Sequence, residues 1–268
     1  MILRGDLFSE ILRTTANIQV LIPDRAGAPR AEGPFRIVYL LHGLHGNQGT
    51  WLDNTMLPVY AKKYNAIFVM PEVGRSFYTN QKYGRKYYDY IAVELPQICR
   101  RNFNISAKRE DTAIMGCSMG GYGALWFSLS KPEQYGFCGS IAPACLNTKE
   151  ILDVLRKDPG PFLKNFPEAD EIYTDLRSIY GDGLEYHPEY DVKVLAKNFP
   201  SDKPKPVIYM ACGTEDDLRK ENLVFKDQMV KTNFDYTYEE WSGGHEWYFF
   251  NEALKKTLEF WLAREKQA

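Results

Sequence analysis

No apolar run in these 268 residues is long enough to cross a bilayer, which argues against a helical membrane protein. Net charge is nearly absent as well. Thirty-three Lys and Arg against 35 Asp and Glu leave −2, so nothing electrostatic draws the chain to nucleic acid or an anionic membrane. The basic pairs Lys62-Lys63 and Arg100-Arg101 are short and read as solvated surface. Cysteine is sparse and odd in number: Cys99, Cys117, Cys138, Cys145 and Cys212 follow no metal-ligand spacing. Cys117, Cys138 and Cys212 fall in or beside expected strands, where buried free thiols belong. That usage fits a reducing, cytoplasmic setting, and nothing calls for a metal or a cofactor. The opening Met1-Ile2-Leu3-Arg4-Gly5-Asp6 meets charge too early for a signal peptide. Internal repeats and low-complexity stretches are missing too.

What is present suits one large α/β domain spanning residues 1–268, with 44% hydrophobic and 25% charged residues. Expected strands are an N-terminal pair at Asp6–Leu12 and Asn17–Ile22, then Arg36–Leu41, Ala66–Met70, Thr112–Met115, Phe137–Ile141, Val207–Ala211 and Phe234–Trp241. The middle ones are continuous apolar runs, as in parallel strands covered on both faces. Helices are expected at Tyr87–Arg101, kinked or broken by Pro96, and at Tyr122–Leu129, Glu221–Val230 and Glu252–Arg264. This alternation predicts a doubly wound, mostly parallel sheet with helices on both faces. Residues 146–205 break the rhythm, with helical pieces at Thr148–Arg156 and Glu168–Ile179 among several prolines. The stretch is too long for a bare loop and reads as a cap-like helical insertion over the site. The alternative is a peripheral decoration.

Chemistry concentrates at Gly116-Cys117-Ser118-Met119-Gly120-Gly121, between an apolar strand and a helix. That context makes Gly-x-Ser-x-Gly a nucleophile elbow, with Ser118 on a strained turn at the top of the sheet. Gly116 and Gly120 keep the strand and helix backbones close. Cys117 lies one residue from the exposed position, which disfavours it as the nucleophile. A serine hydroxyl needs an adjacent base, and only four histidines exist: His42, His45, His187 and His245. His245 follows the last strand and precedes the terminal helix, where the order Ser, acid, His puts the base. His42 reads as structural, the role of His45 stays open, and His187 reads as a solvated loop residue. After Val207–Ala211, three carboxylates, Glu215, Asp216 and Asp217, compete to orient the base. The oxyanion hole is assigned to the Leu44 and Met119 N–H groups. Trp51, Tyr78, Trp241 and Trp247 are candidates to wall an acyl or aryl pocket.

His42-Gly43-Leu44-His45-Gly46-Asn47, Tyr78-Thr79, Glu94-Leu95-Pro96, Gly116–Gly123, Cys212-Gly213-Thr214-Glu215-Asp216 and His245-Glu246-Trp247 together resemble the putative-esterase family of α/β-hydrolases. Within it the chain is most similar to bacterial tributyrin-type esterases for short acyl chains. The resemblance runs over nearly the whole length, with its quoted motifs all lying outside 146–205. It implies an α/β-hydrolase fold, a serine carboxylesterase using Ser118, Asp216 and His245, and a small-molecule ester as partner. Its three-residue offset from Gly213 is what selects Asp216 as the acid. Acyltransferases, S-formylglutathione hydrolases and feruloyl esterases are the related alternatives. A homo-oligomer stays open.

Overall fold

The computed structural model describes residues 1–23, 33–164 and 168–265. Its strands are β1 (Ile2–Ser9), β2 (Thr14–Leu21), β3 (Arg36–Leu41), β4 (Ala66–Pro71), β5 (Thr112–Cys117), β6 (Phe137–Ile141), β7 (Val207–Gly213) and β8 (Tyr236–Trp241). They form one eight-stranded sheet in the order β1-β2-β4-β3-β5-β6-β7-β8. β1 and β2 pair antiparallel, β2 joins β4 antiparallel, and every later pairing is parallel. The central strands lie where the apolar runs predict them. The N-terminal hairpin instead starts four residues earlier than expected. β1 is an edge strand exposed on both faces, so it carries no inward-outward alternation from which its ends can be read.

The helices are α1 (Thr50–Asn54), α2 (Leu57–Tyr60), α3 (Tyr87–Asp89), α4 (Leu95–Asn102), α5 (Met119–Ser130), α6 (Thr148–Lys157), α7 (Gly160–Leu163), α8 (Ala169–Tyr180), α9 (Val192–Lys197), α10 (Arg219–Met229) and α11 (Trp247–Glu265). α3 and α4 are joined by a π turn at Tyr90–Glu94. Pro96 explains it: proline offers no N–H and its ring crowds the carbonyl four residues back, so the helix widens by one residue just before it. The sequence marks this position as a kink or break, and the interruption takes the form of this π turn between α3 and α4.

Period-two alternation divides the core between the two faces of the sheet. Ile37, Tyr39, Leu41, Ile67, Val69, Ile114, Cys138, Ile208 and Met210 point to one side, with Tyr90, Leu95, Tyr122, Leu125, Leu152, Leu176 and Phe225. Val38, Leu40, Phe68, Met70, Ala113, Met115, Tyr209 and Ala211 point to the other, with Trp51, Leu57, Phe249, Phe250 and Leu254. α4, α5, α6, α8 and α10 therefore cover the first face, and α1, α2 and α11 the second. Burial on both faces is why these strands read as unbroken apolar runs.

Between β6 and β7, residues 146–205 hold α6 to α9 and no strand among the described residues. This stretch is tied to α5. The Tyr122 hydroxyl donates to the Tyr190 carbonyl at 2.6 Å, and the Trp126 indole donates to that of Glu189 at 2.7 Å. Asp191 then caps α9, accepting the Lys193 and Val194 N–H groups.

Candidate active site

β5 ends at Cys117, α5 begins at Met119, and Ser118 alone makes the turn, at φ 55° and ψ −121°. L-residues rarely adopt that conformation, and here neighbours hold it on every side. The Ser118 N–H donates to the Ile141 carbonyl at 2.9 Å, and its carbonyl accepts from Tyr122 and Ala144. The flanking glycines permit the approach: a Cβ at Gly116 would overlap the Gly120 carbonyl, and one at Gly120 that of Leu41. Cys117 is buried below the turn, and desolvation pushes its thiol up to about 12, the wrong direction for a nucleophile.

His245 sits on the loop after β8, with Nε2 2.9 Å from the Ser118 Oγ and Nδ1 2.8 Å from Asp216 Oδ2. The Asp216 side chain is fully buried, and its second oxygen accepts the Leu218 N–H at 2.8 Å. Of the three competing acids, Asp216 alone reaches His245. Asp217 borders the cavity described below. Glu215 is exposed to solvent, and its carboxylate holds the histidine loop by accepting from the Gly243 N–H and the Ser242 hydroxyl.

Leu44 and Met119 border the space beside Ser118. Met119 opens α5, so its N–H has no intrahelical acceptor. His42 is buried, its Nδ1–H donating to the Gly43 carbonyl at 2.8 Å while Nε2 accepts the Val73 N–H at 3.2 Å. Burial lowers its pKa and keeps it neutral, as a strut below the site. His45 lies at the rim, its Nε2 2.6 Å from Glu168. His187 is half-buried, stacked on Tyr180 and tilted against Tyr190, not simply solvated.

Ser118 and His245 open onto a cavity of about 610 Å³. Leu44, Phe77, Met119 and Ala144 line it from the core side, and Ile151, Phe162, Ile172, Leu176, Ile179 and Tyr180 from α6, α7 and α8. Ile172, Leu176 and Ile179 recur at helical spacing, a stripe visible in the sequence but not assigned there to a pocket. Glu221, at the start of α10, also borders the cavity. Burial raises its carboxyl to about 7, against backbone hydrogen bonds from Leu146 and Asn147. No short motif marks it.

The four aromatics expected to wall the pocket do not line this cavity. Trp51 is fully buried, donates to the Leu41 carbonyl at 2.9 Å and meets Trp247 edge-on. Tyr78 is equally buried, its hydroxyl donating to the His42 carbonyl at 2.8 Å. Trp241 stacks on Phe249, and Trp247 packs against Phe250. Each serves the packing beneath the loops, because a large ring with one donor fills a core well. The described residues contain no cluster of three or more His, Cys, Asp or Glu suited to a metal.

A family model described as "Putative esterase" matches residues 9–261. The chain is 30% identical to an acetyl esterase of Caldicellulosiruptor saccharolyticus over 271 residues, covering 98% of each. Among solved structures it is similar to the fluorophosphonate-binding serine hydrolase F of Staphylococcus aureus, with a TM-score of 0.82 and 25% identity, covering 97% of this chain and 98% of that one. It is also similar to an S-formylglutathione hydrolase of Staphylococcus aureus, with a TM-score of 0.79 and 26% identity at the same coverage. The matches extend through 146–205. With its mostly parallel sheet and serine elbow, the chain has the α/β-hydrolase fold and is a serine hydrolase of carboxylic esters, a member of the putative-esterase family.

Proposed function

We propose that Ser118, His245 and Asp216 form the catalytic triad of a carboxylesterase for short acyl esters. The observation that carries this is the unbroken run of contacts from the Ser118 Oγ through His245 to the buried Asp216. Ser118 attacks the ester carbonyl while His245 Nε2 takes its proton, and Asp216 holds the Nδ1–H and stabilises the imidazolium. The Leu44 and Met119 N–H groups receive the oxyanion, helped by the N-terminal dipole of α5. His245 returns the proton to the leaving alcohol, and water then releases the acid from Ser118.

In this reading 146–205 is a cap, and Phe162, Ile172 and Leu176 set the end of the acyl pocket. The acetyl esterase relative supports a short acyl group. The S-formylglutathione hydrolase neighbour supports a thioester instead. Carboxylates at Glu168, Asp217 and Glu221 around the cavity count against a multiply anionic thiol ester. Five free cysteines favour a reducing, cytoplasmic location.

The test is a fluorophosphonate probe followed by peptide mapping, alongside ester hydrolysis by Ser118→Ala. The expected result is one adduct, on Ser118, and loss of at least about 10⁴-fold in kcat with an unchanged melting curve. An adduct elsewhere, or activity near the parent rate, overturns the assignment.

A further inference from the structure

β1 is the first strand of the sheet, and its outer edge carries no strand among the described residues. Ile22 N–H donates to the Met1 carbonyl at 2.9 Å, and the Met1 nitrogen donates back to the Ile22 carbonyl at 2.7 Å. Antiparallel bonding alternates by residue. From this pair and the register Leu3↔Val20, Gly5↔Ile18 and Leu7↔Ala16, the odd positions of β1 bond inward to β2. Ile2, Arg4, Asp6 and Phe8 therefore present their N–H and C=O groups outward.

Such an edge is a template for another strand, and proteins commonly blunt it with charges. Here the two charges have opposite sign and stand symmetrically about Gly5. We propose that this edge pairs with the β1 of a second copy of the chain, antiparallel about a twofold axis at Gly5, so that two sheets become one.

The pattern selects both the partner and the register. The outward groups allow only registers that oppose even positions to even positions. Centring on Arg4 opposes Arg4 to its own copy, and centring on Asp6 opposes two aspartates, both repulsive. Centring on Gly5 opposes Arg4 to Asp6 and Ile2 to Phe8 on one face, and Leu3 to Leu7 on the other. Every pair is then complementary, and each even-numbered pair exchanges two hydrogen bonds. The same-patch geometry is that of a closed twofold dimer.

The apolar members are exposed now: Ile2 by 42%, Leu3 by 40% and Phe8 by 60%. Arg4 has a contact at 3.6 Å with Asp53, but both side chains are 62% exposed, and so solvated a pair yields readily to a closer partner. At Gly5 a Cβ would meet nothing within 4 Å, leaving the axis clear.

Sedimentation of the intact chain tests this, with ester hydrolysis confirming that each variant is folded. The expected parent species has twice the 30.9 kDa chain mass. Arg4→Asp and Asp6→Arg alone each raise the dimer dissociation constant by about tenfold or more, because each opposes like charges. The double variant restores it to within about threefold, since the swapped charges pair again. Gly5→Cys crosslinks across the axis on mild oxidation, where facing Cα atoms stand about 4.5 Å apart, and Leu3→Cys does not. A monomeric parent, a dimer indifferent to the single charge changes, or equal crosslinking of the two cysteine variants overturns the proposal.

Discussion

Glu215 and Gly243 are joined twice: the Glu215 carboxylate accepts the Gly243 N–H, and the Glu215 N–H donates to the Gly243 carbonyl at 3.1 Å. Hydrogen bonds from Thr214, Gly243 and Ser242 hold that carboxyl below its usual range. The loop carrying His245 is thereby fastened to the turn carrying Asp216, two residues before the imidazole.

Glu215 thus acts as a positioning residue. Glu215→Ala is expected to lower kcat by about ten- to a hundredfold with little change in KM, since small misplacements of a catalytic group cost rate more than binding. Glu215→Gln, which keeps the Ser242 contact, recovers part of the loss. Steady-state kinetics of the two variants measure it, and a fall in KM-controlled binding alone contradicts the role.

Asp216→Asn and Asp217→Asn differ by one position and are expected to differ greatly in effect. The first removes the carboxylate that holds the His245 tautomer, a loss of about 10⁴-fold in kcat. The second alters only the cavity border, a change within about threefold. Parallel kcat measurements decide it, and the reverse order moves the acid one residue along the chain.

Glu221 gives a dependence on pH. Its folded carboxyl titrates at about 7, above the ordinary 4.5, chiefly through burial, with Asp216 also raising it and Lys193 opposing. A carboxyl raised on folding stabilises the native state below 4.5, and that stability is lost as pH rises through about 7. The size is roughly 3 kcal/mol. Glu221→Gln is expected to flatten the fall in unfolding free energy between pH 4.5 and 7.5. Denaturant melts across that range show it, and parallel curves for parent and variant refute it.

Phe162 and Leu176 bring 146–205 into the cavity. If they end the acyl pocket, Phe162→Ala and Leu176→Ala raise kcat/KM for longer acyl esters relative to butyrate by about tenfold, the worth of one or two methylenes in an apolar site. A constant ratio in folded variants makes the insertion peripheral.

Much of this is legible in the sequence because local pattern and tertiary role coincide. The β5 run, the glycines around Ser118 and the position of His245 after β8 each carry their own mark. The strands β3 and β6 keep their expected ends, since both are short runs buried almost from end to end. Other features depend on what the chain folds against. Trp51 and Tyr78 looked like pocket walls because an aromatic residue near a motif cannot reveal which side of a backbone it occupies. Glu221 lies far from the elbow in sequence and reaches it only through the packing of α10. Glu215 differs from its acidic neighbours only in the direction it points.

The backbone at Ser118 has a consequence for stability. Conformations of that kind cost about 1–3 kcal/mol in an L-residue and far less in glycine. The nucleophile thus draws on the stability reserve of the whole fold, and an enzyme without it has more to spare. Ser118→Gly should be inactive yet melt above its parent, by about 2–4 °C for each kcal/mol released net of glycine's greater freedom when unfolded. Scanning calorimetry of the two proteins would show how much robustness this active site forgoes to keep one hydroxyl exposed.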